Sequence, residues 1–303
     1  MRIKLNENAR RNALRSGGCE LRFRCSQLPV KLQIQVEGVA AAGYGGGLAQ
    51  ILRGDNSETY VALSPGNNLL TISPQTLPLS VSSGANARFS AELIRVLMPT
   101  HADISSFDLD GKVEAPQSTD LPPSRLLIYG SSITQGSGSL STGDSWTGRC
   151  AMLLGMDLIN LGLGGGCHCE PEMADYLSSR KDFDTLILET GINMLGLEVD
   201  QVAERIPHLI RTVARHHSGK KIYCLGVFPC LDDLKNDFTG RADEIRRLVA
   251  DTVSAINSPN LHYIASQSAL NPATGLTTDL VHPSPAGMVS IAEFVAREVQ
   301  KLG

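Results

Sequence analysis

No stretch of the chain approaches the roughly 18 uninterrupted apolar residues that a membrane-spanning helix needs, so no transmembrane span is expected. An excess of charge is missing as well. With 27 basic against 31 acidic residues and a net charge of -4, the chain lacks the positive footprint of a nucleic-acid or anionic-membrane binder. The expected partner is a small molecule. Met1 to Arg15 is rich in Arg and Lys but has no apolar h-region of the secretory kind, and Glu7 and the scarcity of Ser argue against a targeting peptide. A cytoplasmic protein is the simpler expectation. The C-x-x-C spacing of structural zinc sites is absent, and Cys167-His168-Cys169 would point alternate neighbours to opposite sides of an extended chain. Seven cysteines, an odd number, fit free thiols better than a disulfide framework.

Apolar residues, by contrast, make up 42% of 303 positions, enough for one large or two medium packed domains. From Cys19 to Gly111 short runs with partial alternation are separated by turn residues. These runs are Glu20–Cys25, Val30–Val36, Leu48–Leu52, Thr59–Leu63, Asn68–Ile72, Arg88–Leu97 and Ile104–Leu109. Their spacing predicts an all-β sandwich of about a hundred residues. Gly43-Tyr44-Gly45-Gly46-Gly47 has no strong strand before it and no helix after it, and reads as a flexible turn instead of a phosphate cradle. A Pro-rich polar stretch follows. Domain limits are therefore expected at residues 1–115 and 125–303, with 116–124 as linker.

Beyond the linker, strands alternate with helical stretches, the mark of a parallel sheet covered by helices. Strands are predicted at Arg125–Tyr129, Met156–Leu161, Thr185–Glu189, Lys221–Phe228 and Leu261–Ala265. Helices are predicted at Val199–His217, Arg241–Ile256 and Pro285–Leu302, with a kink or break at Pro207. The result is a compact three-layer α/β/α domain with a five-stranded sheet.

Four loops carry the unusual residues. Arg125–Tyr129 breaks into Gly130-Ser131-Ser132-Ile133-Thr134-Gln135-Gly136, which places Ser132 where a strand ends and a helix starts, the usual ligand edge of such sheets. Ser132 is the candidate nucleophile. Asn160-Leu161-Gly162-Leu163-Gly164-Gly165-Gly166 can turn bare backbone amides toward a ligand, but it does not satisfy G-x-G-x-x-G, so a dinucleotide site is rejected. Asn193, just past the third strand, offers a neutral amide donor suited to an oxygen that becomes negative during reaction. Asp279 lies three residues before His282 and can fold back on the ring to fix its tautomer. Each alone has a plain reading as a cap, an Asx turn or a structural histidine. Their joint order is what points to chemistry.

These blocks resemble the SGNH hydrolase superfamily, also called GDSL esterases. The match runs through Gly130–Gly136, Asn160–Gly165, Gly191-Ile192-Asn193, and Asp279 with His282, and spans roughly Ser124 to Gly303. Two positions depart from the pattern: Ser131 stands for the usual Asp before the nucleophile, and Met194 for the usual Asp after the Asn. Gly143-Asp144-Ser145 spells the family's tripeptide, but no strand precedes it and Ile-Thr does not follow, so it is read as a decoy.

The resemblance implies a flavodoxin-like α/β/α fold. It further implies a carboxylic ester hydrolase acting through acyl-Ser132, with His282 as base, Asp279 as its support, and an oxyanion hole from the amides of Ser132 and Gly165 and the Asn193 side chain. A β-sandwich, jelly-roll-like, ahead of such a domain, and the phrase Leu188–Leu195, are similar to a bacterial subgroup holding acyl esterases and an acyltransferase of aromatic polyketide biosynthesis. That likeness keeps an acyltransferase as the alternative, with a hydroxyl acceptor in place of water. The ester is expected to be a small molecule or a carbohydrate. No metal or organic cofactor is implied, since a nucleophile, a base and donors suffice. The single Trp, Trp146, either lines the acyl pocket or packs in the core.

Overall fold

The computed structural model describes residues 5–27, 29–39, 47–74, 87–234 and 240–303. Strands form where alternation was visible. Along β2 (Val30–Val39), Val30, Leu32, Ile34 and Val36 are fully buried while Lys31 and Gln33 face out, the period-two pattern of a half-buried strand. The remaining strands of this half are β1 (Glu20–Cys25), β3 (Leu48–Arg53), β4 (Asn56–Ala62), β5 (Gly66–Ile72), β6 (Ile94–Leu97), β7 (Ala102–Asp110) and the short β8 (Val113–Glu114). They make two antiparallel sheets, ordered β4-β3-β6-β1-β8 and β5-β2-β7. Their inner faces share one core, from Leu32, Ile34 and Leu70 to Phe23, Ile51 and Val96.

One expectation needs correction here, and one element was not anticipated. Only Ile94–Leu97 of the 88–97 run is a strand, because the amides of Arg88 and Phe89 bond to the Asp55 carboxylate and Leu93 N–H closes a turn on Ser90. The N-terminus also holds a helix, α1 (Glu7–Asn12), capped by the Asn6 side chain accepting from Ala9 N–H. Of the Gly43–Gly47 turn, residues 43–46 lie outside the described residues.

Residues 116–124 are tied down at their middle. Ser118–Asp120 forms one 3-10 turn, buried Asp120 pairs with Arg24, and its carbonyl accepts from Ser90 N–H.

The second half is a five-stranded parallel sheet in the order β10-β9-β11-β12-β13. The strands are β9 (Arg125–Gly130), β10 (Asp157–Gly162), β11 (Thr185–Glu189), β12 (Lys221–Leu225) and β13 (Leu261–Ile264). In β9, Leu126, Leu127, Ile128 and Tyr129 are all fully buried, as both faces of a central parallel strand should be. Around the sheet lie α2 (Ser132–Gln135), α3 (Trp146–Leu153), α4 (Pro171–Ser179), α5 (Val199–His216), α6 (Arg241–Ile256), α7 (Pro272–Gly275) and α8 (Pro285–Leu302). Helix α3 packs on α8, and α5 lies between α4 and α6. The expected break at Pro207 does not occur. Helix α5 continues through it, held by buried Val202, Ile206, Leu209, Ile210 and Val213, and the carbonyl that loses its partner belongs to exposed Ala203. Among the described residues no helix is long and apolar enough to cross a membrane.

The halves are joined by charge and hydrogen bonds. Arg22 of β1 forks onto Asp157 of β10 (Nη1–Oδ2 2.8 Å, Nη2–Oδ1 2.5 Å) and also holds Glu20, which Arg95 grips from the other side. The hydroxyl of Thr142 donates to Met98 O (2.6 Å), and His101 Nε2 meets Ser137 Oγ (2.8 Å).

Candidate active site

The nucleophile turn is held from below by one carboxylate. Glu189, last residue of β11 and fully buried, accepts with Oε2 from Ser131 N (2.7 Å), Ser131 Oγ (2.8 Å) and Thr134 Oγ1 (3.0 Å). A side chain at Gly130 would collide with both Thr134 Oγ1 and Glu189 Oε2, which is why glycine ends β9. Ser131 Oγ also accepts from Ile133 N–H (3.1 Å) and so caps α2. Ser132 thus starts a four-residue helix on a turn with little freedom to move. Burial pushes the Glu189 carboxyl up from its ordinary range, against the pull of its three donors.

The histidine arrives on a loop bound to itself. Asp279 Oδ1 accepts from Val281 N–H, His282 N–H and the Thr277 hydroxyl, at 2.9, 2.9 and 2.8 Å. Its Oδ2 lies 2.6 Å from His282 Nδ1. Leu280 adopts a positive φ of 58° to close this turn. A carboxylate can only accept, so Nδ1 carries the proton and Nε2 is left as acceptor for Ser132 Oγ, 2.8 Å away. Burial pushes the Asp279 carboxyl up, but the donors around it outweigh that effect and hold it well below the usual carboxylate range. Asp279 is still 42% exposed at its side chain.

Asn193 sits in a 3-10 turn (Ile192–Met194) after Gly191, whose φ of 111° starts the turn. Its Oδ1 accepts from Cys167 N–H (3.1 Å), which fixes the amide flip and leaves Nδ2 free to donate into the cavity that it lines with Ser132 and His282. Gly164 and Gly165 line the same cavity, of about 570 Å³, within the range of small-molecule sites. Gly165 has a φ of 63°. The structure therefore brings Ser132, Gly165, Asn193 and His282 to one cavity, with Asp279 behind the ring.

Trp146 is not there. It is fully buried, packs edge-on against Phe228 with ring centroids 5.8 Å apart, and belongs to the core, correcting the pocket-lining expectation. Gly143-Asp144-Ser145 likewise lies apart, its Ser145 capping α3 by accepting from Gly148 N–H (3.1 Å).

The other wall of the cavity is foreshadowed by no motif in the sequence. The glycine loop serves less as bare backbone than as a seat for α1: Asn6, Asn8 and Asn12 donate to the carbonyls of Gly166, Gly165 and Gly164 at 3.0, 3.2 and 2.7 Å. A side chain at Gly166 would run into Ala9. Asn8, Arg11, Asn12, Arg15 and His101 consequently line the cavity. The burial of His101 pushes its pKa down to about 4, with further help from Arg15 and His282. The one signal in the sequence for Glu189 was a charged residue closing an otherwise apolar strand.

Residues 128–289, more than half of the chain, match the GDSL-like lipase/acylhydrolase family, and the protein belongs to that family. Among solved structures, a salicylyl-acyltransferase from a tetracycline biosynthetic pathway is 18% identical, with a TM-score of 0.79 over 98% of this chain and 86% of that one. A protein described as a GDSL-like lipase from Bacteroides ovatus is 17% identical, with a TM-score of 0.77 over 99% and 88% of the two chains. A family two carbohydrate esterase from Clostridium thermocellum is 17% identical, with a TM-score of 0.63 over 93% and 91%. At such identities these likenesses establish the fold, an SGNH domain preceded by a β-rich half. No curated protein matches the chain in sequence.

Proposed function

We propose that the protein is a serine-dependent carboxylic ester hydrolase working through an acyl-Ser132 intermediate. The observation that carries this reading is the relay of two short contacts, Ser132 Oγ to His282 Nε2 at 2.8 Å and His282 Nδ1 to Asp279 Oδ2 at 2.6 Å. In the first half-reaction His282 Nε2 takes the Ser132 proton as Oγ attacks the ester carbonyl. The tetrahedral oxyanion is met by the amides of Ser132 and Gly165 and by Asn193 Nδ2. Collapse breaks the bond to the alcohol, which leaves with the proton from His282. Water then repeats the sequence on the acyl-serine, giving the acid and free Ser132. Asp279 holds the ring in the tautomer that each step needs.

A second reading shares the first half-reaction. The likeness to a salicylyl-acyltransferase favours discharge of the acyl group to an acceptor hydroxyl in place of water. Release of p-nitrophenol from p-nitrophenyl acetate, followed by stopped flow and at steady state in the wild type and Ser132→Ala, separates the possibilities. A burst with sustained turnover, both lost in the variant, is expected for the hydrolase. A burst with almost no turnover would replace it by the transferase, and unchanged release by Ser132→Ala would remove Ser132 from the chemistry.

A further inference from the structure

The cavity at Ser132 has a charge imbalance that nothing in the proposed chemistry uses. Of the residues lining it, Arg11 and Arg15 are cationic and none is a carboxylate. Among the described residues Arg11 makes one hydrogen bond, to the amide oxygen of Asn8 (3.3 Å), and no carboxylate lies within ion-pair distance of it. Arg15 has a buried Nε with no hydrogen bond among the described residues, and its one ion pair there is a long one, 3.7 Å to Asp103, whose side chain is 52% exposed.

A second cavity, of about 200 Å³ between the halves, is lined by Arg22, Arg88 and Arg95, and there Glu20, Asp55 and Asp157 pair with all three. The surplus distinguishes the Ser132 cavity from this one, in a chain whose net charge is negative. A guanidinium without a close carboxylate beside a cavity, as at Arg11, or with only a long and exposed one, as at Arg15, favours an anion, and its planar fork suits the two oxygens of a carboxylate or phosphate. Neutral His101 adds no charge of its own. Its depressed pKa reflects burial first and the positive field of Arg15 second.

We propose that the ester accepted at Ser132 carries an anionic group, a carboxylate or a phosphate, and that Arg11 and Arg15 bind it. This inference rests on the esterase reading for its placing in catalysis, but the anion binding can be tested without turnover. Two matched pairs separate the possible carriers. On the acyl side, mono-p-nitrophenyl glutarate is compared with p-nitrophenyl valerate; on the leaving-group side, acetyl-coenzyme A is compared with S-acetyl-N-acetylcysteamine.

The expected result is a kcat/KM ratio of charged to neutral partner of about tenfold or more in one pair, falling with added salt. That ratio should drop toward one in Arg11→Gln/Arg15→Gln and be partly kept in Arg11→Lys/Arg15→Lys, which retains charge without the fork. In parallel, calorimetry on Ser132→Ala titrated with monomethyl glutarate and with coenzyme A reads binding alone. Binding weakened about tenfold or more by the Gln pair supports the proposal even if turnover of p-nitrophenyl acetate fails and the esterase reading with it. Ratios near one in both pairs, or affinity unchanged by the Gln pair, would overturn it.

Discussion

Asn193 has one oxygen and one nitrogen to place, and the backbone of Cys167 decides which goes where. By donating to Oδ1, Cys167 N–H leaves Nδ2 as the only Asn193 group able to meet an oxyanion. Replacing Asn193 by Ala removes that donor without touching the Ser132–His282 contact. Loss of one oxyanion-hole donor commonly costs about 10²- to 10³-fold in kcat, so Asn193→Ala should retain a slow but measurable p-nitrophenyl acetate turnover. A near-normal kcat would remove Asn193 from the role. That Ser132, Asn193 and His282 are candidates was legible from residue type and loop position, because the Ser and Asn loops each follow a recognisable strand and the His loop precedes the last helix. Glu189 was not, since a carboxylate at a strand end says nothing of the three donors that the nucleophile turn brings to it.

At the scale of elements, β11 and the turn after β9 form one unit through Glu189. Glu189→Ala would leave the Ser131 amide and the hydroxyls of Ser131 and Thr134 without their shared acceptor in a buried place. Each orphaned donor costs on the order of 1–3 kcal/mol before relaxation, and a net loss of about 2–4 kcal/mol is expected in urea unfolding. Ester turnover should fall too, because Ser132 loses its rigid support. Glu189→Gln keeps an oxygen for the same three donors, and should recover most of both stability and kcat. If Gln behaves as badly as Ala, the negative charge and not the acceptor is what holds the turn. The strands and long helices were readable from periodicity, and α6 and α8 begin and end where the pattern does. Helix α1 was not readable from periodicity. Six residues are too few for a 3.6-residue pattern to show, and their stability comes from the glycine loop that they cover.

On the scale of the whole molecule, the contacts between the halves make stability depend on acid. The folded pKa of His101, 4% exposed, lies at about 4, below its ordinary 6.5. The unfolded chain therefore binds the proton first, and the stability His101 contributes is complete above 6.5 and lost as pH falls toward 4. Glu20 behaves similarly one step lower. Burial would raise its carboxyl, but Arg95 and Arg22 outweigh that and bring it from 4.5 to about 2, so its contribution is present above 4.5 and fades as pH falls toward 2. Each group accounts for at most about 3 kcal/mol. Urea unfolding at pH 7, 5.5 and 4 should give a steadily smaller free energy, with a flatter slope between 6.5 and 4 in His101→Asn. An unaltered slope in that variant would take His101 out of the account.

The sequence by itself determined the two kinds of architecture, the succession of most strands along the chain and the four loops with their Ser, Gly, Asn, Asp and His. Those follow from local patterns: period-two and period-3.6 burial, glycine breaks, and a three-residue Asp-to-His spacing that a single turn can close. Only the tertiary structure decided that Trp146 is core, that Glu189 anchors the nucleophile turn, and that Arg11, Arg15 and His101 line the cavity of Ser132. These are contacts between segments distant in the chain, from the 36 positions between His101 and Ser137 and the 58 between Ser131 and Glu189 to the 152 of the Asn12–Gly164 bond. No local pattern encodes such a meeting; it is set by how the elements and the halves pack.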